Sequence, residues 1–192
     1  MITSVHNVRV AAAVKLKRRA FRDREGKFLI EGAQTVGEAL ASGARIGLLF
    51  HVAPDDPLAD RARAAGISVE QVSSQVMGKL TSTVTPQGIV GVADFVDVPL
   101  GALPFDPGCV ALLCEGRDPG NAGTILRSAD AAGANAVVFG SESVDVYNPK
   151  TVRASAGSIF HLPVVRDVDV RAAVEELRRR GARIYAASVK DL

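Results

Sequence analysis

The side chains best suited to chemistry lie in a polar stretch that follows an apolar, strand-like run. Residues 115–129 pass through a turn rich in glycine and proline and then enter a predicted helix. Open α/β sheets bind their ligands at such strand-to-helix turns. Asn121, Thr124 and Arg127 are spaced by three residues, so they share one face of this helix. The guanidinium on that face is suited to a phosphate or to a developing negative charge.

Purely structural roles remain open for the same residues. Asn121 is well placed as the N-cap of the helix, and Arg127 can be an ion-pair partner of Asp130 three residues later. The loop has neither the glycine spacing of a dinucleotide fingerprint nor a Gly-Lys-Ser/Thr sequence, so a nucleotide-phosphate loop is not indicated. Three apolar residues are expected to face the sheet: Ile125, Leu126 and Ala129.

A second candidate segment begins at Asn148. The Asn148-Pro149 pair predicts a helix start, with asparagine as N-cap and proline at the first helical position. Lys150 and Arg153 can bind phosphates. The small residues at 154–157 allow a ligand or a neighbouring loop to approach closely. Tight packing of the helix on the sheet is the alternative role of these small residues.

The composition is that of an ordinary globular protein. The chain has 192 residues, of which 47% are hydrophobic and 23% charged, enough for one substantial core or two modest ones. No apolar run approaches the ~20 residues needed to cross a bilayer, and the N-terminus lacks a signal-peptide pattern, so a cytoplasmic location is expected. Cys109 and Cys114, the two cysteines, imply neither a disulfide framework nor a zinc site. No metal is predicted.

Basic residues are concentrated at the start of the chain. The net charge is only +2, but residues 1–28 contain eight lysines and arginines against two acidic residues. Such a segment attracts a polyphosphate backbone through the release of counterions. Arg18, Arg19 and Lys27 are the candidate contacts within it. A solvated basic face without a partner is the alternative interpretation.

Hydrophobic patterning divides the chain into two α/β units. A small α/β sandwich of about four strands is predicted over residues 1–97, with a first helix at 7–21 and further helices at 34–42, 58–65 and 73–80. Residues 98–108, rich in proline and glycine, form the predicted linker. In residues 109–192 strands alternate with helices, the last strand being expected at 182–187. This alternation implies a mostly parallel sheet.

Three segments carry a resemblance to a known family. The pattern Asn121-x-Gly123-x-x-x-Arg127 after a strand, followed by Val-Arg-Ala-Ser-Ala-Gly at 152–157, resembles the first two signature motifs of the SpoU/TrmH RNA 2′-O-ribose methyltransferases. The run Lys-Phe-Leu-Ile-Glu-Gly at 27–32, with its basic lead-in, resembles the substrate-binding domain that precedes the catalytic domain in ribosomal-RNA members. The resemblance covers nearly the whole chain.

This resemblance implies transfer of a methyl group from S-adenosylmethionine to a ribose 2′-hydroxyl of RNA, by an α/β domain of the trefoil-knot type that works as a homodimer. It assigns the chemistry to Arg127, with Asn121 holding the active-site loop. Because a guanidinium stays protonated, Arg127 is expected to bind the substrate phosphate and to stabilise the developing alkoxide. The route of the proton, and with it a role of Arg127 as base, stays open.

The resemblance also implies sites for the two substrates. Cofactor contacts are expected at three residues: Ala186, Ala187 and Ser188. RNA contacts are expected at five: Arg18, Arg19, Lys27, Lys150 and Arg153. The later family segments that complete the cofactor pocket and thread the knot are not in the sequence, so the catalytic domain at 109–192 is expected to lack its C-terminal knot segment and to bind cofactor poorly by itself.

Three functions are compatible with these features. They are a methyltransferase represented by an incomplete chain, a binding-only RNA module, and a small-molecule or nucleotide-binding α/β enzyme in which the Asn-Gly-Arg pattern is coincidental. The basic N-terminal segment and the early domain break argue against the third. The N-terminal extension favours 23S rRNA over tRNA as the substrate.

Overall fold

The structure, a computed structural model, describes residues 1–103 and 108–187. Residues 8–94 form the N-terminal lobe, a four-stranded sheet with helices on both faces. Its strands are β1 (Lys27–Glu31), β2 (Ile46–His51), β3 (Ser68–Gln71) and β4 (Ile89–Asp94). Its helices are α1 (Val8–Lys15), α2 (Arg19–Glu25), α3 (Ala33–Ala41), α4 (Pro57–Ala64) and α5 (Ser74–Leu80).

The sheet of this lobe is mixed, in the order β1-β4-β2-β3. β4 runs antiparallel to both of its neighbours, and β2 runs parallel to β3. Side chains alternate between the two faces. Leu29 packs into the cluster formed with α1 and α5, whereas Phe28 and Ile30 pack into the cluster formed with α3 and α4. The four strands of the predicted sandwich are therefore confirmed.

Residues 110–179 form the C-terminal lobe around a parallel sheet in the order β5-β6-β7. Its strands are β5 (Val110–Leu113), β6 (Ala136–Gly140) and β7 (Val164–Val168), and its helices are α6 (Pro119–Ala131), α7 (Pro149–Ala154) and α8 (Val170–Arg179). The central strand β6 is buried along its whole length, as expected when a parallel sheet is covered on both faces. The predicted α/β class with a parallel sheet is confirmed.

The two lobes share a hydrophobic core. One cluster of buried residues joins Phe28 and Val36 of the N-terminal lobe to Leu126, Val152 and Ile159 of the C-terminal lobe. The boundary at 98–108 stays a prediction, but the lobes on either side of it are packed against each other. The position of the C-terminal helices therefore depends on the N-terminal sheet.

Aromatic rings and one phenol hydroxyl reinforce this junction. Tyr147 stacks on Phe95 with ring centroids 4.0 Å apart and lies 4.6 Å from the ring of Phe28. Its hydroxyl accepts hydrogen bonds from the backbone N–H groups of Val96 and Asp97 at 2.8 Å and donates to the Asp97 carboxylate at 2.6 Å. Burial raises the pKa of Tyr147, so the phenol keeps its proton and remains a donor.

A buried ion pair crosses the same junction. Arg22 of α2 pairs with Asp145, which lies in the loop before α7, and their side chains are only 3% and 9% exposed. The Arg22 guanidinium also donates to the carbonyl oxygens of Leu16 and Lys17, at 2.9 Å each. Asp145 in turn accepts a hydrogen bond from the backbone N–H of Tyr147 at 2.9 Å. Both charges are thus satisfied inside the protein.

Two predicted elements differ from the structure. The single helix expected at 7–21 is broken into α1 and α2 at Arg18, whose backbone is extended (φ −98°, ψ 131°). The Arg22 guanidinium binds the carbonyl oxygens of Leu16 and Lys17 at this break, and the Lys17 side chain donates to the carbonyl oxygens of Lys79 and Thr81, at 2.6 Å each. The strand expected at 182–187 is irregular, with no strand partner among the described residues. Across 1–103 and 108–187, no helix is long and apolar enough to span a membrane.

The Arg22–Asp145 pair generates a stability prediction. Replacing Arg22 by methionine leaves the Asp145 carboxylate buried without its partner, which costs about 3–5 kcal/mol of unfolding free energy. Urea titration followed by circular dichroism measures the loss. Arg24→Met is the matched control on the same helix, since the Arg24 side chain is 65% exposed and its replacement should cost less than about 0.5 kcal/mol. Equal losses of unfolding free energy in the two variants would show that the buried ion pair stabilises the fold no more than the exposed arginine does.

Candidate active site

The turn before α6 is organised by Asp118. Its carboxylate accepts a hydrogen bond from the backbone N–H of Asn121 at 2.9 Å, and Pro119 occupies the first helical position. Asp118 is therefore the N-cap, and the prediction that Asn121 caps the helix is wrong. The bond from Asn121, with a further bond from Lys150, lowers the pKa of Asp118. The helix thus starts earlier than expected, and the side-chain amide of Asn121 does not cap it.

The candidate catalytic residues lie on one exposed face of α6. Asn121, Thr124 and Arg127 are all exposed, and the Thr124 hydroxyl donates to the carbonyl of Gly120 at 3.0 Å. Within the described ranges, the Arg127 side chain makes neither a hydrogen bond nor an ion pair with the protein. Ile125, expected to face the sheet, is 38% exposed. The face therefore presents one guanidinium and one amide to solvent.

The carboxylate nearest to Arg127 along the helix is already engaged. Asp130 binds Nδ1 of His161 at 2.7 Å, and Nε2 of the same imidazole lies 3.2 Å from Glu38 of α3. Arg127 is consequently not the ion-pair partner of Asp130, and that structural role is ruled out. The two carboxylates raise the pKa of His161, with the bond to Asp130 as the largest cause. This imidazole joins the two lobes beside the candidate face.

A close helix contact fixes the position of that face. At Gly123 a Cβ atom would lie 2.5 Å from the carbonyl oxygen of Thr151 and 2.5 Å from Cβ of Ala154. Only glycine therefore lets α6 and α7 approach this closely. The packing of α6 against α7 therefore explains why the Asn121-x-Gly123-x-x-x-Arg127 pattern has a glycine at position 123.

Two predicted RNA contacts lie beside the candidate face. Lys150, at the start of α7, binds Asp118 with an Nζ–Oδ2 distance of 3.0 Å. Asn148 caps α7 by accepting from the backbone N–H of Lys150 at 2.9 Å, as predicted. Arg153, at the end of the same helix, lies 3.6 Å from the carboxylate of Glu31 in β1. The structure thus brings Lys150 and Arg153 to the side of α7 that meets α6 and the N-terminal lobe.

The other three predicted RNA contacts lie on the N-terminal lobe. Arg18 and Lys27 are exposed. Arg19 is bound instead to Asp167 of the C-terminal lobe, with an Nη2–Oδ1 distance of 2.7 Å. Arg19 therefore contributes to the contact between lobes. Its role in RNA binding stays a prediction.

The predicted cofactor contacts are only partly described. Ala186 and Ala187 are exposed and belong to no strand, so their backbone groups are available to a ligand. Ser188 lies outside the described residues. Among those residues, no group of three or more His, Cys, Asp or Glu side chains is arranged to hold a metal ion.

Comparisons with known proteins agree on one family. Residues 7–91 match the MRM3-like substrate binding domain, and residues 108–192 match the SpoU rRNA Methylase family. The 23S rRNA guanosine 2′-O-methyltransferase RlmP of Bacillus subtilis is 34% identical over 190 residues, which cover 99% of this chain and 74% of RlmP. The chain belongs to the SpoU rRNA methylase family. Mitochondrial rRNA methyltransferase 3 of mouse is 34% identical over 90% of this SpoU chain, which spans only 42% of the mouse protein.

Solved structures of SpoU relatives carry the same fold and, in two cases, the cofactor. The AdoMet-bound rRNA methyltransferase of Sinorhizobium meliloti superposes with a TM-score of 0.82 at 32% identity, over 93% of this chain and 68% of that one. AviRb of Streptomyces viridochromogenes, solved with AdoMet, gives a TM-score of 0.78 at 28% identity, over 91% and 68%. The SpoU chain is accordingly an RNA ribose methyltransferase, and S-adenosylmethionine is its cofactor.

Sequence reasoning missed several residues that shape the SpoU site. Asp118 was detectable, because Asp118-Pro119 repeats the Asn148-Pro149 pattern that correctly predicted the start of α7. Glu31 and His161 had no local signal, since each acts through a partner far away in the chain. Such pairs become visible only when the lobes are packed together.

The α6–α7 contact predicts the effect of one added methyl group. Gly123→Ala forces two helix backbones apart, so the variant should lose about 1–3 kcal/mol of unfolding free energy and α6 should shift relative to α7. Urea titration checks the first expectation. Gly78→Ala is the control, because Gly78 lies inside α5 with nothing within 4 Å of its added Cβ. The Gly78→Ala variant should gain about 0.5–1 kcal/mol of unfolding free energy. A stabilised Gly123→Ala variant would refute the close contact.

His161 predicts a pH dependence of stability. Because the folded protein raises the pKa of this imidazole, protonated His161 stabilises the fold. The contribution is complete below the unfolded value of about 6.5 and disappears as the pH rises through the higher folded value. The difference in unfolding free energy between wild type and His161→Asn should therefore be larger at about pH 5.5 than at about pH 8.5.

The control for this measurement is His6→Asn, since His6 is exposed and its ring contacts neither Asp130 nor Glu38. A His161 contribution that stays constant or grows towards alkaline pH would contradict the assigned charge state.

Proposed function

We propose that the chain methylates a ribose 2′-hydroxyl in 23S rRNA, using its N-terminal lobe to hold the RNA. The observation that carries this proposal is the free guanidinium of Arg127 on the exposed face of α6, beside a carboxylate that His161 occupies. The names of two relatives support the substrate, since RlmP and the 32% identical enzyme of Streptomyces viridochromogenes are 23S rRNA 2′-O-methyltransferases. The match of residues 7–91 to a substrate-binding domain supports the role of the lobe.

A basic groove on the N-terminal lobe supports binding to an RNA backbone. It has a volume of about 410 Å³ and lies between α1, α2 and the sheet, with apolar walls that also carry Arg9, Lys15, Arg24, Lys27 and one acidic residue, Glu25. Arg9 and Arg24 are paired with Glu70 and Glu25, whereas Lys15 and Lys27 have no ion pair among the described residues. Phe21 lies in the same groove, 4.7 Å below the Arg24 guanidinium. Lysines and arginines at a groove attract phosphates without reading sequence. Arg18 lies next to these residues in the chain and is proposed to extend the same surface.

Arg127 is proposed to bind the phosphate next to the target ribose and to stabilise the 2′-oxygen as it gains negative charge. A guanidinium donates two parallel hydrogen bonds and stays protonated, so it suits this electrostatic role and not that of a base. Asn121, freed from capping, lies along the same face and is proposed to orient the ribose. Lys150 and Arg153 extend the positive surface towards the N-terminal lobe. The proton of the 2′-hydroxyl leaves towards solvent on this open face.

S-adenosylmethionine supplies the methyl group when it is bound. The small exposed residues Ala186 and Ala187, with backbone groups outside any strand, fit one edge of this molecule. Their backbone N–H and C=O groups are proposed to bind its adenine base, together with Ser188. The two alanines carry no charge for the methionine part, so they are proposed to hold the nucleoside end only.

Further parts of the proposal rest on family membership. They are a homodimer, a C-terminal lobe of the trefoil-knot type, and a cytoplasmic location. The exposed Ile125 on α6 provides apolar surface that a second copy can cover. Two alternatives make different predictions: a tRNA 2′-O-methyltransferase would leave rRNA unmodified, and a binding-only module would bind RNA without transferring methyl groups.

The role of Arg127 is tested by a conservative replacement. Arg127→Lys keeps the positive charge but removes the planar pair of donors, so methyl transfer should fall by about a hundredfold. The measurement is transfer of labelled methyl groups to 23S rRNA transcribed in vitro, with 2′-O-methylated positions mapped afterwards. Both measurements use protein of this amino-acid sequence.

Arg171→Lys on α8 is the matched control, because Arg171 is exposed and lies on a helix other than α6 and α7. It should retain full activity. Near-normal transfer by Arg127→Lys would show that the guanidinium geometry is not needed. Transfer to tRNA but not to 23S rRNA would replace the proposed substrate.

A further inference from the structure

A polar cavity lies where the N-terminal lobe meets the end of α7. It has a volume of about 160 Å³, and its walls come from the end of β1, the loop 81–88, the start of α3 and the residues Arg153 and Ala156. Typical pockets for drug-sized ligands measure ~300–1,000 Å³, so this cavity is too small for S-adenosylmethionine. It is also separate from the basic groove, with which it shares no wall residue.

Two oppositely charged side chains in its wall form an ion pair, and each has one buried atom without a hydrogen bond. The Glu31 side chain is only 6% exposed. Its Oε1 atom accepts from the backbone N–H of Ser82 at 2.9 Å, but Oε2 has no hydrogen-bond partner. The Nη1 atom of Arg153, 3.6 Å away, also has none. At this distance the two atoms form an ion pair with each other. Each keeps the capacity for a shorter hydrogen bond, so together they can receive a ligand that offers both a donor and an acceptor.

The rest of the wall consists of neutral hydrogen-bonding groups held in place by backbone contacts. Thr83 and Thr85 present hydroxyls from the loop. Gln87 accepts from the backbone N–H of Ala33 at 3.0 Å, and a Cβ at Gly32 would lie 2.5 Å from its amide oxygen. Between the two threonines, Val84 is completely exposed at the tip of the loop. An apolar tip beside a polar cavity matches the flat face and the polar edge of a nucleobase.

The cavity adjoins the candidate catalytic face through a continuous set of contacts. Gln34 in its wall donates to Glu38 at 2.6 Å, Glu38 contacts His161, and His161 binds Asp130 of α6. Asp130 follows Arg127 by three residues, so both lie on neighbouring parts of the helix surface. The cavity is thus connected through side-chain contacts to α6, the helix that carries Arg127.

We propose that this cavity binds the base of one unpaired nucleotide of the RNA substrate, with Glu31 and Arg153 meeting a donor and an acceptor on the edge of the base. Every nucleobase carries such a pair on its Watson–Crick edge, and that edge is available only when the base is unpaired. The inference rests on the proposed function, because it requires that the protein binds RNA.

The test uses five labelled RNA hairpins and fluorescence anisotropy. In all five the two strands of the stem are joined by a non-nucleotide linker, so that no loop base is unpaired. Four carry a single bulged nucleotide, A, C, G or U, and the fifth is fully paired. The wild-type protein should bind at least one bulged hairpin about tenfold tighter than the paired one. Glu31→Gln and the double variant Thr83→Val, Thr85→Val should lose this preference while binding the paired hairpin as the wild type does. Thr3→Val, at an exposed threonine outside the cavity, should keep the preference.

The outcomes separate the two proposals. Equal binding of all five hairpins by the wild type overturns the cavity inference alone, whereas binding of none overturns the proposed function as well. A preference that survives in both variants also overturns the inference. Equal weakening on every hairpin does the same, since it would assign the residues to folding or to phosphate contacts. The threonine variant changes no charged or buried ion pair, so it remains informative if Glu31→Gln fails to fold.

A second measurement locates the bound base directly. With 4-thiouridine at the bulge, irradiation should attach the RNA to the peptide that contains Val84. Attachment only to residues of the basic groove would contradict the proposed position.

Discussion

The ion pair between Arg22 and Asp145 is the interaction on which the arrangement of the two lobes depends. Its charges are closed to solvent and belong to different lobes, so neither is satisfied unless both lobes are folded and docked. Asp145 precedes α7, and α7 supports α6 through the close contact at Gly123. The position of Arg127 is therefore linked to a charge pair in another part of the molecule through two closely packed helices.

Most other charges at the junction are also used in pairs. Arg166 binds Asp97 and Asp23 and stacks on Phe95 at 4.7 Å, Arg19 binds Asp167, and His161 bridges two carboxylates. These contacts are partly exposed, and each is individually weak. Their collective effect is to occupy acidic groups that would otherwise compete for the free cations. The Asp130 carboxylate, three residues after Arg127, is bound to His161 of the same lobe.

Local patterns in the sequence predicted the element types well, because helix and strand periods, N-caps and proline positions are properties of neighbouring residues. They also located Arg127 and its exposed face. They failed where distant contacts decide the backbone. The break after α1 is accompanied by bonds from Lys17 to the carbonyls of Lys79 and Thr81 at the end of α5, and the pairs made by Glu31 and His161 join segments that no local pattern connects. The segment 182–187 has an apolar pattern that suits a strand. A strand also needs a hydrogen-bonded neighbour, and a local pattern does not show whether one is present.

The difference between local patterns and distant contacts also explains why the interface between the lobes contributes more residues to the candidate site than the sequence motifs suggest. A motif on one helix can position an amide and a guanidinium, yet recognition of RNA requires surfaces that extend beyond a single helix. In this fold the N-terminal lobe supplies Glu31, Gln34 and the threonine loop, while the C-terminal lobe supplies Arg153. The cavity exists only because the lobes are docked. Substrate selection and the position of the catalytic face thus depend on the same interface, so a change that loosens it should impair both together.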